Sequence, residues 1–359
     1  MNRLPNFARQ TLMLLFATLG GCGASLIGMP LAWLIGALVV SGAFAFCGVS
    51  FNFARIRPYG LVVLGLALGQ SFTPTILADI VRNLPLIGFC ALVTLCAGFP
   101  VARLFTGMAG TDPKTAFFCA VPGGVVLMAV QAQRSGASER HVVLAQTVRL
   151  VMVVMIYPVL IALLTPAHAL TVATGGAVAL PPGDGWKLAA LVVVSTALAY
   201  VVRRTFIPNP WMIVPCFLAI GLAQFDLQPA HMPEGAVMVC QVILGASLGA
   251  QMTRGFILGS RKLLTASVLS ALMLTVLLVP FALVVAYVSG LDVAAVLLGM
   301  APGGMPEMTV AAKAMGVAVP LVLSFHLVRI LIGNLLIEPV WWLAQRLGLK
   351  ATDMPSERK

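Results

Sequence analysis

Charged residues are scarce in this chain of 359 residues, because only 9% are Asp, Glu, Lys or Arg and only 11 residues are acidic. Hydrophobic residues make up 60% of the chain, and the mean hydropathy of +1.03 lies outside the range of soluble globular proteins. Apolar runs long enough to cross about 30 Å of hydrocarbon follow one another with little between them. The composition excludes a sizeable soluble domain and predicts an all-α polytopic membrane protein.

Clustered metal ligands and paired cysteines are also missing. The seven cysteines lie in apolar runs and never as CxxC, which argues against a disulfide framework or a zinc site and predicts buried thiols. The four histidines are dispersed, and the net charge of +11 comes from Lys and Arg scattered at the ends of apolar segments. This pattern sets membrane topology and does not bind nucleic acid. We therefore expect no enzymatic activity, no nucleic-acid partner and no cofactor, and H⁺ or Na⁺ as the coupling ion of any transport.

One stretch of the chain recurs at a constant offset of 180 residues. AVPGGVVLM in the first half returns as MAPGGMPEM in the second, and the same offset relates two LGxxLG motifs and two arginines. The repetition predicts an internal duplication whose special residues come in pairs. These pairs are Pro122 and Pro302, Gly123 and Gly303, Gly124 and Gly304, Met128 and Met308, Arg149 and Arg329, Asp112 and Asp292.

Each half contains six apolar segments, and the fifth of each half carries the Pro-Gly-Gly motif. A proline followed by two glycines removes a backbone hydrogen bond and adds flexibility, so it does not continue a regular helix. The predicted segments are 10–27, 30–48, 58–75, 84–104, 115–133 and 141–164 in the first half, and 186–202, 210–225, 235–253, 263–287, 293–312 and 320–345 in the second.

The positive charges indicate how these segments cross the membrane. If all six segments of each half span, the basic residues between 203 and 262 fall outside the cell, against the positive-inside rule. If each fifth segment instead turns back as a re-entrant hairpin, only Arg82, Lys187 and Lys313 fall outside, with Arg149 and Arg329 inside the membrane. The charge distribution favours the hairpin. The alternative is that the fifth segment spans the membrane as a broken helix and another segment does not span it.

Five spans per half is an odd number, so the second half would cross the membrane upside down relative to the first. We therefore predict two inverted repeats of five transmembrane helices, each with one re-entrant or broken Pro-Gly-Gly element, in a bacterial inner membrane with both termini cytoplasmic. The domains would be a first repeat at 1–164, an external linker at 165–185, a second repeat at 186–347 and a cytoplasmic tail at 348–359.

The two Pro-Gly-Gly elements are the first candidate binding residues. Backbone that leaves the helix inside a membrane must be satisfied by protein or by water in a cavity. The half-helix after each motif begins with free N–H groups, which form a ready anion site. The alternative is a packing kink without function. The candidate substrate-binding residues here are Pro122, Gly123, Gly124, Pro302, Gly303 and Gly304.

Polar side chains inside the last apolar segment of each half are the second group of candidates. Arg149 lies three residues after Gln146, and Arg329 lies three residues after His326, so each pair shares a helical face. A guanidinium at this depth costs several kcal/mol unless it is paired or solvated. The two stripes predict opposite walls of a polar cavity, and snorkelling of the arginines to the interface is the alternative.

Glu307 is the single carboxylate inside a Pro-Gly-Gly element, and its counterpart at the constant offset is Leu127. An acid inside a membrane is a functional-site hypothesis by default. It would take up a proton or bind a cation during transport, with Arg329 or His326 as its partner, and a purely structural ion pair to Arg329 is the alternative. His326 is the second candidate proton carrier.

With VPGGVVLM followed by QTVR, and APGGMPEM followed by HLVR, the chain resembles the AbrB family of integral membrane proteins over essentially its whole length. Gram-negative members of that family carry an internal duplication. The resemblance implies a label of gene-expression regulator or ammonia monooxygenase. The sequence contains no DNA-reading helix that would support the first label. It also lacks the clustered histidines of a copper site that the second label would require.

The residues favour a secondary transporter that moves a small, anionic organic solute by alternating access around a midplane site. The alternative is a membrane-embedded regulator or sensor that affects gene expression, as the resemblance implies. We expect a small-molecule substrate and membrane lipid as partners. A homodimer is a further possibility, because such folds commonly dimerise.

Overall fold

The computed structural model describes residues 6–49, 52–164, 185–205, 207, 209–225, 227 and 231–346, and within these ranges the chain is helical without any strand. The predicted linker at 165–185 lies outside the described residues except for Gly185, and the predicted tail lies wholly outside them. The helices are α1 (Asn6–Leu26), α2 (Ala32–Phe46), α3 (Arg57–Gly69), α4 (Pro74–Cys96), α5 (Gly98–Leu104, continued by one π-helical turn at Phe105–Ala109), α6 (Pro113–Ala120), α7 (Val125–Arg134), α8 (Glu139–Leu164), α9 (Gly185–Val202), α10 (Pro210–Gln224), α11 (Glu234–Gly249), α12 (Arg254–Leu258), α13 (Arg261–Ser289), α14 (Val293–Met300), α15 (Met305–Ala314) and α16 (Val319–Arg346).

Five described helical stretches are long and apolar enough to cross a membrane, and four shorter apolar helices accompany them. The prediction of an all-helical membrane protein is therefore confirmed in its general form. The long stretches are Pro74–Ala109, Glu139–Leu164, Gly185–Val202, Arg261–Ser289 and Val319–Ile337.

Two of the differences from the predicted segments have a clear local cause. The fourth segment, predicted at 84–104, begins ten residues earlier, because the Thr73 side chain accepts a hydrogen bond from the Ile76 N–H and Pro74 occupies the first turn. Each fifth segment is two helices, since the residue before each proline adopts an extended ψ, at 127° for Val121 and 133° for Ala301. Asp112 and Asp292 cap α6 and α14 as predicted.

The prediction that the cysteine thiols are buried is correct for only some of the seven cysteines. Cys90, Cys119, Cys216 and Cys240 are buried, whereas Cys22, Cys47 and Cys96 are exposed at the protein surface. All seven are free thiols. An apolar run therefore placed these residues in helices without indicating which helix face they occupy.

The helices form two groups, and each group combines both halves of the chain. In one group α2 packs against α11 and α3 packs against α10; in the other, α4 packs against α16 and α8 packs against α13. Every one of these pairs joins a helix before residue 165 to one after residue 184. The contacts between the two halves therefore run through both groups.

Glycines of the LGxxLG motifs allow the first group to pack with its backbones in contact. A Cβ atom at Gly65 would collide with the carbonyl oxygen of Met212 on α10. Gly245 is the counterpart of Gly65, and a Cβ atom there would collide with the carbonyl oxygen of Leu34 on α2. The small-xxx-small spacing thus allows the helices to approach closely, as this spacing usually indicates.

The corresponding helices α3 and α11 run antiparallel to each other. The Gln70 side chain, just after α3, accepts a hydrogen bond of 2.8 Å from the Met232 N–H, just before α11. Ten residues earlier in α3, Gly60 lies beside Ile243, near the middle of α11. Advancing along α3 therefore means moving backwards along α11.

Candidate functional site

The Pro-Gly-Gly motif of the first half forms the turn of a helical hairpin. The Ser138 N–H, in the loop after α7, donates a hydrogen bond of 2.9 Å to the hydroxyl of Thr115 at the start of α6. A straight crossing by residues 113–134 would instead separate these ends by roughly 30 Å. α6 and α7 therefore double back, with the buried Pro122 and Gly123 and the exposed Gly124 at the turn.

The first glycine of each motif makes room for a methionine five residues later. A Cβ atom at Gly123 would collide with the side chain of Met128, and one at Gly303 would collide with that of Met308. Both methionines are fully buried. This contact explains why the repeated motif extends from the proline to the methionine.

The second glycine is needed for a different reason in each hairpin. Gly124 has a φ of 86°, a left-handed backbone that a side chain disfavours. Gly304 has an ordinary φ of −79°, but a Cβ atom there would collide with a carboxylate oxygen of Glu307. Glu307 therefore folds back over the beginning of α15.

In the first hairpin, Arg149 and Gln146 bind the carbonyl groups at the end of α6. The Gln146 amide donates to the carbonyls of Phe118 at 2.8 Å and Val121 at 2.9 Å. Arg149 donates to the carbonyl of Ala120 at 3.2 Å and to the side-chain oxygen of Gln146. These groups satisfy carbonyls that the broken helix leaves without partners.

In the second hairpin, Arg329 and His326 do the same for α14. Arg329 donates to the carbonyls of Ala301 at 2.5 Å and Gly303 at 2.8 Å. It also donates to His326 Nδ1 at 2.9 Å, so the remaining proton of a neutral His326 lies on Nε2 and points to the Leu298 carbonyl at 3.1 Å. Both ring nitrogens are thus engaged in the structure.

These contacts change the interpretation of the paired arginines. Arg149 and Arg329 are each 4% exposed, which excludes snorkelling to a solvated interface. Their terminal nitrogens hold the hairpin turns, and only their Nε atoms have no hydrogen-bond partner within the described residues. We infer that both arginines position the turns rather than line an open cavity wall.

The two hairpin turns meet at one level of α8. Arg149 contacts the first turn through Ala120. Leu150, the next residue, lies against Gly304 of the second turn, and Val153, one turn further along α8, lies against Gly303. Both turns therefore contact the same short stretch of α8, residues 149–153.

The partner of Glu307 in the structure is not one of the two that the sequence predicts. The Glu307 carboxylate lies 3.5 Å from a terminal guanidinium nitrogen of Arg57, at the start of α3. The expected partners, Arg329 and His326, were wrong, because both are engaged with the carbonyls of the second hairpin. Glu307 is 1% exposed, and neither of its oxygens accepts a hydrogen bond from the described residues.

Arg57 was missed because its sequence context carries no functional signal. It lies among the basic residues that set topology, and 250 residues separate it from Glu307. Only the packing of α3 against α15 brings the two together. Because α15 packs against α16 of the second helix group, the pair is also the salt bridge that joins the two groups within the described part of the chain.

A separate cavity of about 230 Å³ opens at the beginning of α8, but it contains none of the predicted site residues. No group of His, Cys, Asp or Glu within the described ranges could hold a metal ion. The cavity is lined by Arg140, His141, Leu144, Phe256, Ser260 and Leu263, among others.

Comparisons with known proteins agree with the resemblance. The family model described as "Transition state regulatory protein AbrB" matches residues 33–344. The chain is 22% identical to YhjN of Bacillus subtilis (strain 168), whose name states no function, over 99% of this chain and 98% of the relative. It is also 22% identical to an Escherichia coli (strain K12) protein whose name proposes that it is a regulator, AbrB, over 85% of this chain and 87% of the relative.

Proposed function

The chain belongs to the AbrB family, and we propose that it is an inner-membrane secondary transporter of a small organic anion. In this proposal the two halves are inverted repeats with both termini cytoplasmic. The observation that carries the proposal is the meeting of the two Pro-Gly-Gly turns at one level of α8. Broken helices of this kind mark the midplane binding sites of transporters built from inverted repeats.

The inverted relation is supported by matching local structure at the offset of 180 residues. Gly110 and Gly290 end equivalent helices with φ of 63° and 68°, and Asp112 and Asp292 then cap the next helices. The antiparallel course of α3 and α11 supports a two-fold axis lying in the membrane plane.

The charge around the turns favours an anion. The N-termini of α7 and α15 point their free N–H groups into the turns, and a helix N-terminus attracts negative charge. Arg149 and Arg329 add two buried positive charges, whereas among the described residues only one carboxylate, Glu307, is buried. The protein interior at this level thus carries an excess of positive charge.

Alternating access is supported by unequal contacts between the two helix groups. α3 packs against α15 and α16, whereas its counterpart α11 makes no comparable contact with α7 or α8. One hydrogen bond of 3.4 Å, from Thr147 to Gln251, connects the groups on that side. A two-fold arrangement that is closed on one side and looser on the other is what a transporter adopts when its site faces one compartment.

We expect small organic carboxylates to stabilise the purified protein against heat. Acetate, lactate, succinate and citrate would be screened, because a bound ligand stabilises by RT ln(1 + [L]/Kd), about 2.7 kcal/mol at a hundredfold excess over Kd. A stabilising anion would then be tested in its radiolabelled form for counterflow into proteoliposomes.

Two results would contradict the transporter. One is an anion that binds but never crosses the bilayer in counterflow. The other is the absence of any stabilising solute together with a protein partner that copurifies in stoichiometric amount, which would favour the regulator.

A further inference from the structure

We propose that Arg57 is the residue that binds the substrate's negative group, and that Glu307 is a built-in competitor which must take up a proton to release it. This proposal rests on the proposed transport function and names the coupling within it. The observation behind it is an ion pair that joins the two helix groups and whose acid is almost completely buried.

Arg57 is accessible and has hydrogen-bonding capacity to spare. Its side chain is 33% exposed, and one terminal nitrogen faces Glu307 at 3.5 Å. Its Nε is buried and has no hydrogen-bond partner within the described residues, so the exposed part of the guanidinium is what a solute can reach. A guanidinium carries five N–H donors and can bind a carboxylate through two of them at once, so this side chain can accept a second anion.

Glu307 occupies the place that a substrate carboxylate would take. Its carboxylate folds over Gly304 at the beginning of α15, where a helix N-terminus attracts an anion. In the first hairpin, the counterpart at the constant offset is Leu127, and the counterpart of Arg57 is Val237. The charged pair is therefore a property of one hairpin alone.

Among the charged groups on the helices around Glu307, Arg57 is the one that pairs with its carboxylate. The helices packed against α15 are α3, α8, α14 and α16. Among their charged or titratable groups, Arg149, His326 and Arg329 are engaged with hairpin carbonyls. The remaining groups are Tyr59 on α3, Glu139, Arg140, His141 and Tyr157 on α8, Glu338 and Arg346 on α16, and Lys313 on α15 itself.

These contacts define a sequence of binding events. With Glu307 ionised, the ion pair fastens α3 to α15 and occupies Arg57. A proton that binds Glu307 removes one charge of the pair, so Arg57 turns to a solute carboxylate and α15 is released from α3. Proton and anion then bind together, which is the requirement of a proton-coupled anion carrier.

The test uses the full-length purified protein and the panel of acetate, lactate, succinate and citrate, with affinity measured by thermal stabilisation at acid and at alkaline pH. For the wild type we expect tighter binding at acid pH. Glu307→Gln should bind about tenfold more tightly at alkaline pH than the wild type, with no remaining pH dependence beyond that of the probe. Arg57→Gln should lose binding by about tenfold or more at both pH values.

Matched variants separate this role from a structural one. Arg55→Gln removes an exposed cation two residues away and should bind like the wild type. Arg57→Lys keeps the charge but loses the planar fork, so we expect weakened binding in a protein that still folds. Monodisperse elution of each variant establishes that a loss of affinity is not a loss of fold.

The outcomes distinguish this proposal from the transport function. If an anion stabilises the wild type and Arg57→Gln equally, the role of Arg57 is overturned while anion transport stands. If Glu307→Gln keeps the wild-type pH dependence, the proton site is overturned. If no anion of the panel stabilises either the wild type or Glu307→Gln, the proposed transport of organic anions fails as well.

Discussion

Replacement of Arg329 by leucine is expected to lower the free energy of unfolding by about 3–5 kcal/mol, because it leaves buried carbonyl groups without donors. Arg329 donates to the carbonyls of Ala301 and Gly303 and to His326. Arg329 is 4% exposed, which leaves little room for water to replace these donors. Denaturant or thermal unfolding in detergent, followed by tryptophan fluorescence, measures the effect.

Two matched variants test the reason for this loss. Arg329→Lys keeps one charged donor and should recover part of the stability. Arg204→Leu removes an exposed arginine and should change the free energy of unfolding by less than about 0.5 kcal/mol. A stability of Arg329→Leu close to that of the wild type would show that the guanidinium does not hold the second hairpin.

Replacement of Gly245 by alanine is expected to destabilise the protein by about 2–3 kcal/mol, because the added methyl group would collide with the Leu34 carbonyl oxygen on α2. A backbone atom cannot move aside as a flexible side chain can, so α2 and α11 must separate. Unfolding in detergent again measures the loss, and size-exclusion chromatography shows whether the two halves still assemble.

The same substitution at Gly221 provides a control of opposite sign. Gly221 lies within α10, and a Cβ atom there would meet no other atom within 4 Å. Alanine should therefore raise the free energy of unfolding by about 0.5–1 kcal/mol through its better helix propensity. Equal effects at Gly245 and Gly221 would mean that α2 and α11 are not in backbone contact.

Local patterns in the sequence predicted most of the helical architecture. Asp112 and Asp292 cap the helices that follow them, and each Pro-Gly-Gly interrupts its apolar segment. Both outcomes follow from interactions among neighbouring residues. The early start of α4 was also encoded locally, by Thr73 and Pro74, but the charged Asp79 and Arg82 broke the apolar run that defined the prediction.

The contacts of the candidate site could not be predicted in the same way. Arg149 and Arg329 were correctly singled out as buried cations, but their partners are backbone carbonyls, which have no signature in a sequence. The pairing of Arg57 with Glu307 depends on how α3 packs against α15. That packing is a property of the whole fold and not of either segment.

The most direct test of the central claim is the side of the membrane from which the two hairpin ends can be labelled. Arg134 and Ala314 are exposed, lie at the ends of α7 and α15, and are related by the constant offset. Each would be replaced by cysteine in a protein lacking the exposed thiols Cys22, Cys47 and Cys96. A membrane-impermeant maleimide would then be applied to intact cells and to inside-out vesicles.

Inverted repeats predict that Arg134→Cys reacts from the cytoplasmic face and Ala314→Cys reacts from the external face. Labelling of both cysteines from the same face would contradict the inverted arrangement, and with it the two hairpins that enter from opposite sides.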